Sequence, residues 1–192
     1  MNSIRLVLKG GDVVFTDGVM HDGVVIIEDT TIKNIEQRDS FKPLESDRII
    51  DCTDNFICPG FVDLHNQGGK GYSVMDGTFE SVCGLCRAHA GHGTTGLLLT
   101  PLIEEHTFSA ILPKLAAAVG KDTGGACVLG IHAEGPFTNP ERRGFMPLNA
   151  ISAPDMKLLD DILEFGGGKI IRRGEHDDVG LRRCHLEAGN LP

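Results

Sequence analysis

Short β-branched runs open the chain. Residues 4–8, 12–15, 23–27 and 31–35 are apolar segments set apart by Gly10-Gly11, Asp17-Gly18 and Glu28-Asp29-Thr30. Runs of this length with turn signals between them predict a small antiparallel sheet. A polar stretch over 37–48 reads as a loop, and 48–52 as one more short strand. From Phe56 the rhythm changes. An apolar run over 56–65 ends in a polar, Gly-rich loop, and a helix is predicted at about 78–90. A second apolar run covers 94–100. The next helix, at about 104–119, places Ile111, Leu112, Leu115, Ala118 and Val119 near helical spacing. A third apolar run covers 126–134. The last helix, at about 154–165, carries Met156, Leu158, Leu159, Ile162, Leu163 and Phe165 on its apolar side. It stops at Gly166-Gly167-Gly168, and 169–172 begins another strand-like segment. Strand, loop and helix repeated three times, with almost wholly apolar strands, is the pattern of parallel βα units. Polar residues close the first and third of these strands, the end at which α/β folds carry their sites. Pattern alone does not extend this to a closed barrel.

Composition narrows the function classes. The chain has 192 residues and a formal charge of −9, with no basic run, which argues against nucleic acid or an anionic membrane as partner. No stretch approaches the length of a membrane-spanning helix, and residues 1–5 begin no secretory signal, so a cytoplasmic protein is expected. The 25 glycines cluster between apolar runs, as many tight turns require. Six cysteines, at 52, 58, 83, 86, 127 and 184, carry no expectation of disulfides in that setting.

Two clusters could carry chemistry. Along an extended segment Asp63, His65 and Gln67 fall on one face, where they could bind a metal or a polar substrate, or form a satisfied polar strand end. His132 and Glu134 project to the same side at the end of the most apolar strand. A carboxylate there is costly unless paired or metal-bound. Glu134 is therefore a candidate zinc ligand or one half of a buried pair with Arg142 or Arg143. Cys83-Gly84-Leu85-Cys86 lies within a predicted helix with no second CxxC, which favours core thiols. His89 and His92 sit at a Gly-rich helix end and read first as C-capping residues. Nothing resembles a nucleotide-binding loop.

In this order, Pro59-Gly60-Phe61-Val62-Asp63-Leu64-His65, the Gly-rich segment 68–78, Gly93-Thr94-Thr95 and His132-Ala133-Glu134-Gly135-Pro136-Phe137 resemble the amidohydrolase superfamily. The last segment, with Arg142-Arg143-Gly144 after it, resembles in particular the N-acetylglucosamine-6-phosphate deacetylase family, and the likeness runs from about residue 4 to about residue 172. The resemblance implies an α/β fold. In it, a partial (β/α)8 amidohydrolase-type barrel of three to four βα units follows a small antiparallel β region. The implied domains are 1–55, the N-terminal part of a small β-sandwich that the family builds from both chain ends; 56–171, the first barrel units; and 172–192, a charged tail unlike the family.

The resemblance further implies a metal-dependent hydrolase that removes the acetyl group of N-acetylglucosamine 6-phosphate. Its cofactor is a divalent metal, zinc or alternatively iron, its partner an amino-sugar phosphate, and its state a homo-oligomer. Glu134 matches the metal-binding Glu. His65 takes the first position of a motif that is His-x-His in many members and Gln-x-Asn in others, and Gln67 takes the third. His132 takes a supporting position. Where many members end the following loop in Gly-Ala-His, this chain has Gly144-Phe145-Met146. The family's two His ligands and its Asp base lie on later strands with no counterpart here, so no catalytic residue is assigned. His176 and His185 in the tail are read as coincidental, and the tail as the product of truncation or a frame change. An incomplete barrel is expected to be marginal and prone to associate. Two other readings stand beside this one: a dihydroorotase-like or dipeptidase-like amidohydrolase, and a catalytically silent fragment acting through binding or assembly.

Overall fold

The computed structural model describes residues 4–174, with side chains through residue 171. His176, Cys184 and His185 lie outside the described residues. The chain divides into two compact units between Pro59 and Gly60.

The first unit is a five-stranded sheet. Strands β1 (Arg5–Val14), β2 (Val19–Glu28) and β3 (Thr31–Gln37) form an antiparallel meander. Strands β4 (Arg48–Asp51) and β5 (Phe56–Ile57) both pair with β1 in parallel, so the sheet is mixed where alternation alone suggested an antiparallel one. Strand direction is set by which distant segment pairs with β1, and no local pattern encodes it. The segments before and after Gly10-Gly11 are one strand and not two. The register slips around Gly11, and the strand passes through as a bulge. A Cβ on Gly11 would stand 2.8 Å from Ile57 and 2.9 Å from the Asn55 carbonyl oxygen, so only glycine fits where β5 crosses. Val7, Val24, Ile26 and Phe41 form one buried cluster of this unit.

The second unit carries a four-stranded parallel sheet. Its strands are β6 (Phe61–Asn66), β9 (Thr94–Leu99), β10 (Cys127–Glu134) and β11 (Ile170–Gly174), in the order β11-β10-β9-β6. The apolar run from 56 to 65 is thus divided: Pro59-Gly60 ends β5 and lets β6 start in the other sheet. Between β6 and β9 lie a two-residue hairpin, β7 (Gly68–Gly69) with β8 (Tyr72–Ser73), and helix α1 (Phe79–Ala90). Helix α2 (Phe108–Ala116) joins β9 to β10, and α3 (Met156–Phe165) joins β10 to β11. The caps are chemical: Ser81 N–H donates to Thr78 Oγ1 at 3.2 Å, and Lys157 N–H to Asp155 Oδ1 at 2.8 Å. Helix α2 is shorter than its periodicity suggests. Ala118 and Val119 bond back three residues, a tightened turn that unwinds toward Gly120.

Leu85, Leu97, Leu99, Leu112, Leu115, Ile131 and Ile162 pack together where the helices cover the sheet. Each such side chain contributes about 1.5–3 kcal/mol by leaving water. The β6 edge differs, with Phe61, Val62 and Leu64 all exposed. The CxxC thiols lie on α1 as expected of core residues, Cys86 fully buried and Cys83 half-buried. Burial pushes the Cys86 thiol up from its ordinary value. Among the described residues no helix is long and apolar enough to cross a membrane.

Candidate active site

The C-terminal ends of β6 and β10 bring the sequence-derived residues together. Glu134, the last residue of β10, is 6% exposed. Its Oε2 accepts a hydrogen bond from Gln67 Nε2 at 2.5 Å and lies 3.4 Å from His65 Nε2, an ion pair when that imidazole is protonated. His132, two residues earlier and buried, meets His65 edge to face, with ring centroids 4.8 Å apart. The backbone of Glu134 is fixed on the side of β9: its N–H donates to the Pro101 carbonyl, and its carbonyl accepts from Ile103 N–H at 2.9 Å. Four residues singled out in the sequence therefore form one cluster.

Asp63 does not join them, although simple alternation put it on the face of His65 and Gln67. In the β6–β9 register Asp63 stands opposite Leu97 and Asn66 opposite Leu99, so three steps on β6 answer two on β9. One extra residue reverses the in-and-out parity of the strand. The bulge aims His65 at Glu134 and leaves Asp63 with other partners. Its Oδ1 accepts from His65 N–H at 3.0 Å and its Oδ2 from Asn66 Nδ2 at 2.8 Å. Burial pushes the Asp63 carboxyl up, but these two hydrogen bonds, with His89 and His65 nearby, outweigh it and hold the group below the ordinary carboxylate value.

Three further residues support the cluster. Asn66 is buried and its backbone is gripped on both sides by Thr100: Asn66 N–H donates to Thr100 Oγ1 at 3.0 Å, and Thr100 N–H to the Asn66 carbonyl at 2.8 Å. His89 reads in the sequence as a helix cap. Instead, its Nε2 lies 2.8 Å from Asn66 Nδ2 and 3.1 Å from the Gly68 carbonyl oxygen. Thr100 carries a sequence signal in retrospect, as a polar residue directly after the apolar Leu97-Leu98-Leu99, and Asn66 as the polar residue that ends β6. His89 carries none, because its partners are more than 20 residues away. The alternative of a buried Glu134–Arg pair is replaced by Gln67 and His65. Arg143 instead donates to the Met146 carbonyl, and Arg142 is exposed. Met146, on the loop after β10, is buried beside Gly135.

The donor set decides what metal chemistry is available here. A catalytic zinc takes three protein ligands and keeps one open position. Glu134 supplies a carboxylate and His65 an imidazole, while Gln67 presents its amide nitrogen to Glu134 and not its oxygen. Among the described residues no three His, Cys, Asp or Glu side chains form a metal-holding group. Glu134 and His65 fit as two ligands of such a site. They do not complete it, and no catalytic step follows from them alone. A separate cleft in the first unit, lined in part by Asp12, His21, Asp22 and Asp54, contains none of these residues.

No protein-family model matches the chain. Individual proteins do. A Bacillus subtilis N-acetylglucosamine-6-phosphate deacetylase is 31% identical over 179 residues, covering 90% of this chain and 45% of the relative. A Danio rerio protein of the same name is 33% identical over 126 residues, covering 64% of this chain and 31% of the relative. Among solved structures, N-acetyl-D-glucosamine-6-phosphate deacetylase from Mycobacterium smegmatis, in complex with N-acetyl-D-glucosamine 6-phosphate, superposes with a TM-score of 0.76. It is 22% identical and matches 90% of this chain and 43% of its own. That likeness is one of fold alone. The chain thus spans less than half the length of these relatives, and across nine-tenths of its own length it is similar to the N-terminal half of N-acetylglucosamine-6-phosphate deacetylases.

Proposed function

We propose that this chain is the N-terminal part of a metal-dependent deacetylase of N-acetylglucosamine 6-phosphate, carrying the first units of a (β/α)8 barrel. The observation behind this reading is a buried carboxylate, Glu134, closing an apolar parallel strand within reach of His65 and Gln67 at the end of β6, with β9 in between. Such a carboxylate is stable in that setting when it is paired or metal-bound. Glu134 is read as a ligand of a divalent metal, zinc before iron, with His65 as a second candidate ligand. Gln67 and His132 are read as residues that support it. When bound, such a metal polarises the acetamide carbonyl and lowers the pKa of its water. The remaining ligands and the proton-transferring carboxylate belong to later strands in this reading, so the chain by itself is expected to release little or no acetate. A homo-oligomeric state and a cytoplasmic location belong to the same proposal.

Complementation tests it. The chain is co-expressed with the portion of the Bacillus subtilis deacetylase that its match does not cover, and acetate release from N-acetylglucosamine 6-phosphate is followed with added zinc. The expected result is turnover that neither part shows alone and that Glu134→Gln abolishes. Turnover indifferent to Glu134→Gln, or two parts that do not associate, would count against it.

A second reading, a catalytically silent fragment, is favoured by the incomplete donor set among the described residues. A stable metal-free oligomer that gains no activity on complementation would select it.

A further inference from the structure

His89 is set apart from the cluster around Glu134, yet its ring touches the residues on both sides of Gln67. Its Nε2 lies 2.8 Å from Asn66 Nδ2, one residue before Gln67, and 3.1 Å from the Gly68 carbonyl oxygen, one residue after it. One nitrogen cannot accept and donate at once. With the proton on Nδ1 it accepts from Asn66, and with the proton on Nε2 it donates to Gly68. Either bond holds a residue adjacent to Gln67.

The surroundings give this contact leverage. Asn66 already spends one amide hydrogen on Asp63 and both backbone groups on Thr100, so His89 joins a fixed point. The Gln67 carbonyl is tied to Val74 N–H at 2.9 Å. Gln67 lies just beyond the β6 bulge and the last β6–β9 pair, Asn66 with Leu99. The ring also sits tight against the turn that follows. A Cβ on Gly69 would stand 2.9 Å from His89 Nε2, closer than real side chains approach.

We propose that His89 is a positioning residue: from the last turn of α1 its Nε2 holds either the Asn66 side-chain amide or the Gly68 carbonyl, one residue to either side of Gln67, so that the Gln67 amide is delivered to Glu134. This rests on the reading of the Glu134 cluster as the functional site only for what the contact serves. The contact itself is tested without metal or substrate.

The experiment uses the full chain and reads the Gln67 side-chain amide by NMR, together with thermal unfolding. His89→Leu keeps bulk but removes the polar atom. His89→Gln restores both an acceptor and a donor. Gly69→Ala pushes the ring away from its partners while leaving His89 in place. The expected result is that the leucine and alanine variants stay folded while their Gln67 amide moves to the position of a solvent-exposed glutamine, and that His89→Gln returns it to the wild-type position. A role in bulk packing alone would not separate leucine from glutamine. A Gln67 amide unmoved in folded His89→Leu or in Gly69→Ala overturns the proposal, as does a glutamine variant that behaves like leucine. Failure of the chain to bind zinc, by contrast, would count against the site reading and leave the positioning role standing.

Discussion

Gln67 donates its side-chain amide to the Glu134 carboxylate across 2.5 Å, joining the first residue after β6 to the last residue of β10. These two lie 67 positions apart in the chain, so the contact fixes the ends of non-adjacent strands, with β9 between them. Replacing the donor by Gln67→Leu leaves a buried acceptor short of a partner, which costs about 1–3 kcal/mol or more. The urea midpoint at neutral pH should fall accordingly. Combining it with Glu134→Gln should cost less than the sum of the two single changes, because the pair acts as a unit. Strict additivity in that cycle would show that the contact carries no coupling.

The turn leading into α1 is held by an acid. Asp76 accepts from Ser73 N–H at 3.0 Å and from Ser81 Oγ at 2.7 Å, and Ser73 Oγ in turn accepts from Met75 N–H. The Ser73 backbone bond first, and then the Ser81 hydroxyl, hold the Asp76 carboxyl below its ordinary value of 3.8. A depressed folded-state pKa means that the contribution is whole above pH 3.8 and is lost as pH falls through the lower, folded-state value. Asp76→Ala should therefore lower the unfolding midpoint at pH 7, and its difference from wild type should shrink under strong acid. A difference that persists unchanged in acid would rule out ionisation as its source.

Strand β6 is an edge of the parallel sheet among the described residues, with Val62 53% and Leu64 47% exposed. An unprotected apolar edge templates pairing with another chain, and lysine on such an edge suppresses it. Sedimentation of the isolated chain should show association that grows with concentration. Val62→Lys should reduce it without lowering the unfolding midpoint. A chain that stays monomeric across the accessible concentrations would contradict this.

Much of the second unit is legible from local pattern. Helices α1 and α3 begin within two residues of their predicted starts, because Thr78 and Asp155 cap them by chemistry that sequence displays. The apolar strands follow from their length and composition. Alternation along β6 is misleading beyond Asp63, since a bulge is defined by the partner strand and leaves no mark in a single segment. Gly10-Gly11 looks like a turn for a related reason: a glycine pair serves equally a reversal or a bulge within a continuing strand. Local spacing offers Arg142 and Arg143 as partners of Glu134, whereas folding supplies His65 and Gln67 from the end of β6. His89 is invisible as a site residue until α1 is laid beside the end of β6.

The role of Glu134 as a metal ligand is tested most directly by zinc affinity, measured by competition with a chromophoric chelator on metal-free wild type and Glu134→Gln. The carboxylate is the charged member of the proposed donor set, and its loss should weaken zinc by at least the tenfold or so that even an outer-shell partner contributes. Two ligands of an incomplete site hold zinc only weakly, so the expected result is measurable zinc binding in the wild type and at least about tenfold weaker binding in the variant. Equal affinities would show that Glu134 holds no metal and would contradict the account of this site.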